Sequence, residues 1–192
     1  MTDSQKLTMM KIIRFAFLIV LFVPVAVMAQ ERYYTRNGHI DFYSHAPLED
    51  IKANNEQVAV FLNVTDGSIS AAMLMKSFVF EKALMQQHFN ENYVESDEFP
   101  RSEFKGNILN FNTIDFSTPI PKKVTANGMI SLHGVTREIS VEGTITKKED
   151  KYHIDAKFLL KPADFDIGIP ASVKDNIAKE IEVTLNAQLV AM

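Results

Sequence analysis

The chain of 192 residues contains no cysteine. This absence excludes thiol catalysis, thiolate metal sites, redox exchange and a lipid anchor attached to a cysteine. A domain without disulfides relies on its hydrophobic core, and a chain of this length can bury one.

Long apolar runs are also scarce. The main run, residues 15–27, has 13 residues, whereas a helix needs about 20 to span roughly 30 Å of hydrocarbon. Basic residues precede it and small residues at Val27 and Ala29 follow it, a pattern typical of a signal peptide cleaved before Gln30. We therefore predict that residues 1–29 are a cleaved signal peptide and that the protein is periplasmic or secreted, not an integral membrane protein.

Positive charge is in deficit once that segment is removed. Of 20 basic and 24 acidic residues, residues 30–192 keep 17 and 23, which gives a net charge of −6. This balance argues against binding to nucleic acid or to an anionic membrane surface, because both require basic patches.

A period of two dominates the remaining sequence, and it is cleanest in its second half. Residues 124–132, 139–145, 152–160 and 181–189 alternate apolar and polar positions, as half-buried antiparallel strands do. Four less regular strands are predicted at residues 39–44, 57–63, 68–77 and 103–111.

Two segments break this pattern. Residues 80–93 place apolar side chains at helical spacing, and in residues 170–180 Ser172 can cap a helix whose inward face carries Val173 and Ile177. Eight antiparallel strands with one or two short helices in their connections predict a closed barrel, and residues 30–192 are predicted to form this single domain.

The stretch "ISLHGVTREI", residues 130–139, combines a histidine, a glycine and an arginine. It lies between two alternating strands, so we interpret it as a hairpin turn in which Gly134 supplies a positive φ. His133 is then expected to be exposed, and Gly134 to be structural. No G-x-S-x-G or comparable catalytic context is present, and we predict that the protein is not an enzyme.

The five histidines could suggest a metal site, but none of them has the helical or strand spacing of a zinc ligand pair. Asp164 and Asp166 fit turn chemistry better than acid–base catalysis. We predict no metal and no cofactor.

Two motifs resemble the YceI-like family of lipid- or polyisoprenoid-binding proteins. "GMISLHGVTREISVEG", residues 128–143, is similar to the family's hairpin signature, with Ser131 where threonine is usual. "LMQQHFNENYVESDEFPRSEFKG", residues 84–106, is similar to its helix and to the strand that follows. A third segment, "ADFDIGIP", matches an Arg-x-Asp-(Phe/Tyr)-Gly-Ile run but lacks its arginine and glycine.

The resemblance implies an exported, lipocalin-like, eight-stranded barrel that holds a long apolar ligand, such as a polyisoprenoid, a quinone or a fatty-acyl lipid. It implies no catalytic residue. Because the arginine of the third segment is missing, the resemblance carries over no contact with a ligand head group.

Small residues occur among the side chains predicted to face the barrel interior, and they favour a cavity: Ala126, Gly128, Gly143, Ala156 and Ala187. The predicted lining of the last four strands is Ile130, Leu132, Ile139, Val141, Ile154, Ala156, Phe158, Val183 and Leu185, with Met73, Met75, Met85 and Met129 as adaptable additions. Residues 80–99 would form a lid in which Phe89 and Tyr93 are the gate. The alternative is a filled barrel that serves as an interaction module without a lipid ligand, and the chain could also form a homodimer.

Overall fold

The computed structural model describes residues 31–192, which form nine strands, one short α-helix and several 3-10 turns. The predicted signal peptide and its cleavage site lie outside the described residues. The strands are β1 (Arg32–His45), β2 (Asp50–Asn63), β3 (Ser68–Leu74), β4 (Val79–Phe80), β5 (Arg101–Ile108), β6 (Lys122–Leu132), β7 (Val135–Lys148), β8 (Lys151–Leu160) and β9 (Ile181–Ala191).

Eight of the nine strands close into an antiparallel barrel, in the order β1, β9, β8, β7, β6, β5, β3 and β2, with β2 paired back to β1. The predicted eight-stranded barrel is therefore confirmed. The first and last strands lie side by side, with Tyr33 opposite Ala191 and Tyr43 opposite Glu182. Closure leaves each strand of the ring with two neighbours, so that no long edge is exposed.

The ninth strand results from a break in a segment predicted as one strand. The predicted strand 68–77 ends at Leu74, where a 3-10 turn, Met75–Ser77, diverts the chain. The two residues of β4 then pair with Ala53 and Asn54 of β2. Strand β5 pairs with β3 and not with β4, so β4 lies outside the closed ring.

One of the two predicted helices forms. Helix α1 (Ala83–His88) continues as a π-helical turn, Phe89–Tyr93, which matches the prediction for residues 80–93. The prediction for residues 170–180 is wrong, because only a 3-10 turn, Ala171–Val173, is present and no side chain caps it.

The backbone of the second segment has partners outside it. The N–H of Ala178 donates to Ser44 Oγ at 2.9 Å, and the carbonyl of Asp175 accepts from the N–H of Leu48 at 3.1 Å. Docking against β1 and the turn after it therefore replaces the hydrogen bonds that a helix would have made.

The barrel has two different ends. At the closed end, where β2 and β5 finish, Leu62 and Leu189 are 1% and 0% exposed. Tyr33 and Tyr152 meet edge to face there, with ring centroids 4.7 Å apart. Burial, with smaller contributions from Tyr33 and Glu31, raises the pKa of Tyr152 to about 12. The opposite end, where β1, β6 and β8 finish, is called the open end below.

Candidate functional site

The barrel contains an apolar cavity of about 360 Å³ that extends from Leu132 and Leu160 at the open end to Ile108 and Ile154 near the closed end. Inward side chains of the ring form its wall, and the predicted lid, residues 80–99, contributes Phe80, Met85, His88, Phe89, Tyr93 and Val94. The volume falls within the range of about 300–1,000 Å³ that is usual for small-molecule sites.

The structure brings the predicted cavity residues together. The eleven side chains proposed from the sequence all border the cavity: Ile130, Leu132, Ile139, Val141, Ile154, Ala156, Phe158, Val183, Leu185, Phe89 and Tyr93. Their contact with a ligand stays a prediction.

Met73, Met75 and Met85 also border the cavity, as predicted, but the sequence analysis missed the other lining residues that β1, β3 and β5 supply. Ile40, Phe42, Ala71 and Phe104 border the cavity from these strands. A signal for the first two was present, because Ile40 and Phe42 alternate with polar neighbours within the predicted strand 39–44. Met129, by contrast, was wrongly assigned to the lining, since it faces outward and is 47% exposed.

Four phenylalanines, Phe42, Phe78, Phe80 and Phe89, form a phenylalanine cluster between the lid and the barrel. The ring centroid of Phe89 lies 5.0 Å from that of Phe80 and 5.6 Å from those of Phe42 and Phe78. Aromatic pairs at such separations add to the stabilisation from burial alone. The cluster therefore fixes the π-helical turn against β1 and β4, while Phe89 and Tyr93 border the cavity. The gate role of these two residues stays a prediction.

The hairpin between β6 and β7 has a loop of two residues, His133 and Gly134, with φ values of +51° and +72°. Positive φ at both positions matches the twist of the flanking strands, and glycine adopts it at little cost. A side chain at Gly134 would also collide with Phe99, because its Cβ would lie 2.6 Å from Phe99 Cε1. The predicted turn is present, and it is tighter than the sequence suggested.

The expectation that His133 is exposed is wrong, since its side chain is only 10% exposed. Its Nδ1 lies 3.0 Å from the carbonyl oxygen of Phe165, and its Nε2 lies 2.7 Å from Oε2 of Glu95. The ring also packs edge to face on Phe99. His133 thus joins the hairpin to the lid and to the connection between β8 and β9, and a local pattern could not show this because all three partners are distant in sequence.

Polar side chains gather at one corner of the open end. Glu49, in the turn between β1 and β2, accepts from Asn176 Nδ2 at 3.3 Å and pairs with Lys82 Nζ at 3.2 Å. Ser44, Glu49 and Asn176 all border the cavity. This corner is called the polar rim, and nothing in the sequence pattern pointed to it.

Comparison with known proteins now identifies the family. A profile of the YceI-like domain matches residues 34–189, most of the chain. The chain belongs to the YceI-like family. A comparison with curated proteins found no match.

Solved structures share the YceI-like fold at low identity. A polyisoprenoid-binding domain from Saccharophagus degradans, implicated in plant cell wall breakdown, superimposes with a TM-score of 0.72 at 11% identity, covering 85% of this chain and 99% of that one. BcnA of Burkholderia cenocepacia gives a TM-score of 0.64 at 14% identity, covering 80% and 96%. The YCEI protein of Campylobacter jejuni gives 0.53 at 14% identity, covering 77% and 88%. These similarities show the fold alone.

Within residues 31–192, no three histidine, aspartate or glutamate side chains lie close enough to hold a metal ion. Across the same residues, no helix is long and apolar enough to cross a membrane.

Proposed function

We propose that this YceI-like protein binds a long apolar ligand, a polyisoprenoid, a quinone or a fatty-acyl lipid, and sequesters or carries it inside the barrel. The observation that carries the proposal is the apolar cavity of about 360 Å³ inside the barrel. Each buried CH₂ group contributes about 0.8 kcal/mol before ordering costs. The similarity to a protein described as a polyisoprenoid-binding domain supports the same ligand class.

The cavity favours this proposal over the alternative of a filled barrel that acts as an interaction module. A filled barrel would have side chains meeting along its whole axis, as they do at the closed end. The proposal assigns the protein no catalytic reaction.

Filling the cavity tests the proposal. Ala156 is buried in the wall, so Ala156→Phe would occupy the space while preserving the strand. We expect the variant to lose binding of geranylgeraniol and to keep its β circular-dichroism spectrum. Leu159→Phe is the matched control, because Leu159 lies on the same strand, faces outward and is 59% exposed.

Unchanged geranylgeraniol binding by a folded Ala156→Phe variant would contradict a ligand site inside the barrel. Mass spectrometry of an organic extract from the purified wild-type protein identifies any native ligand. A lipid-free extract together with no binding of added geranylgeraniol would leave the interaction module as the better hypothesis.

We also propose that the protein is exported to the periplasm after cleavage before Gln30. The basic and apolar segments of residues 1–29 support this. The intact mass of the exported protein tests the cleavage site, and retention of residues 1–29 with membrane fractionation would contradict it. The suggestion of a homodimer stays a prediction, which sedimentation analysis would test.

A further inference from the structure

Few ionisable side chains border the cavity. Among residues 31–192 they are Glu49, Asp155 and, on the lid, His88, and no lysine or arginine is among them. Asp155 lies between the inward residues Ile154 and Ala156, and its carboxylate accepts from Asn186 Nδ2 at 2.8 Å on the outer face. Glu49 is therefore the acidic side chain that a ligand at the open end would meet.

The carboxylate of Glu49 is held in position by two segments from other parts of the chain. Asn176 Nδ2 lies 3.3 Å from Oε2, and Lys82 Nζ lies 3.2 Å from Oε1. The Glu49 side chain is 29% exposed, whereas that of Lys82 is 64% exposed. Water screens such an exposed ammonium strongly, so it compensates the carboxylate only in part.

A hydroxyl group lies in the same corner. Ser44 is 1% exposed, and its Oγ accepts the N–H of Ala178 at 2.9 Å. A serine hydroxyl that accepts a hydrogen bond still carries a proton to donate. The polar rim therefore offers a ligand head one charged acceptor, the Glu49 carboxylate, and one neutral donor, the Ser44 hydroxyl.

We propose that Glu49, together with Ser44, selects apolar ligands whose head is an uncharged hydroxyl and rejects those that end in a carboxylate or a phosphate. A hydroxyl head can donate a hydrogen bond to the Glu49 carboxylate, whereas an ionised carboxylate head has no proton to donate. An anionic head would meet a like charge at the edge of an apolar cavity, where the effective dielectric constant is low. The inference rests on the proposed function and narrows it, because it favours prenols over free fatty acids and prenyl phosphates.

Binding of three ligands with one hydrocarbon chain tests this selection. Geranylgeraniol, geranylgeranyl monophosphate and geranylgeranoic acid differ only in their heads, and competition with a fluorescent prenol measures each affinity. We expect the wild-type protein to bind the alcohol at least about tenfold more tightly than either anion, a difference of about 1.4 kcal/mol. In Glu49→Gln this preference should shrink about tenfold, because the anions bind more tightly.

Two further variants act as controls. Glu98→Gln removes the same charge from an exposed position on the lid that does not border the cavity, and it should keep the wild-type preference. Lys82→Gln removes the cation beside Glu49 and should increase the preference for the alcohol.

Three results would overturn the inference. Equal binding of the alcohol and the anions by the wild-type protein, or an unchanged preference in Glu49→Gln, would remove the selection while leaving the cavity as a ligand site. A preference of the wild-type protein for the anions that disappears in Lys82→Gln would instead place an anion site at that lysine. If the alcohol also fails to bind, the proposed function fails together with this inference.

Discussion

The two ends of the barrel use the same strands and the same alternation of side chains, yet one is filled and the other is hollow. Toward the closed end the inward rows finish in Leu62, Leu189 and Tyr152, all of them buried. Nearer the open end the rows carry Ala71 and Ala156, which also border the cavity. Alternation decides which residues face inward, whereas their size decides whether the interior is packed.

Connections between the strands reinforce this difference. At the closed end Phe111 and Phe116 lie 5.6 Å apart by ring centroid, and Phe116 meets Tyr152 edge to face. At the open end the connections meet through the phenylalanine cluster, through His133 and through the polar rim. The closed end is thus sealed mainly by aromatic and aliphatic packing, while the open end combines apolar and polar contacts around a cavity.

The largest expected effect is on the free energy of unfolding, and it is measured by comparing alanine substitutions of two leucines on one face of β9. Leu189→Ala at the closed end should lower the free energy of unfolding by about 2–5 kcal/mol, because it leaves a void in a packed interior. Leu185→Ala should cost only about 1 kcal/mol, since its side chain already borders a cavity. Denaturant unfolding of both variants measures the difference, and equal losses would contradict the contrast between the ends.

A second prediction concerns the hairpin at the open end. Gly134→Val should lower the free energy of unfolding by about 1–3 kcal/mol, because valine is strained at positive φ. The approach of Phe99 to that position adds a steric cost. Gly134→Ala is the milder comparison and should lose less. An unchanged melting temperature in Gly134→Val would show that the turn is not constrained.

The third prediction addresses His133, which the sequence suggested could be removed without consequence. His133→Ala should cost about 1–2 kcal/mol, since it deletes contacts with Glu95 and with the buried Phe165. His153→Ala, on the outward face of β8, is the matched control and should have little effect. Equal melting temperatures for the two variants would mean that the open end does not depend on this histidine.

The smallest expected effect is the change in stability at alkaline pH that results from ionisation of Tyr152 at the closed end. Burial raises the pKa of Tyr152 to about 12, above its ordinary value of 10.0. The unfolded chain therefore loses this proton at lower pH than the folded chain does, and stability should fall as pH rises from about 10 to 12. Unfolding of the wild type and of Tyr152→Phe across this range tests the sign. The variant should show a weaker dependence on pH, and an equal dependence would contradict the assignment.

Much of the barrel could be predicted from the sequence, because the side-chain pattern of a strand is local. The rows of the last four strands lie as the alternation indicated, and the eleven proposed residues border one cavity. Tertiary contacts decided the rest. Residues 170–180 dock on Ser44 and do not form a helix, and partners distant in sequence bury His133.

One departure from the family pattern has a visible structural counterpart. Asp166 follows Phe165, where the family run has glycine, and its φ is +56°. The backbone there keeps a conformation that favours glycine, and aspartate is among the few other residues that tolerate it. The sequence showed that Asp166 replaces the glycine of the family run, but only the backbone φ of the structure explains why aspartate is tolerated there.

The pairing of β1 with β9 also constrains the order in which the barrel can fold. Because Tyr33 of β1 pairs with Ala191 of β9, the ring of strands cannot close until β9 has been synthesised and has paired with β1. Contacts this distant in sequence slow folding, and the edges of β1 and β8 stay open to other chains in the meantime. Removing β9 would therefore turn a closed ring of strands into an open sheet, in which β1 and β8 each have an unpaired edge available to other chains.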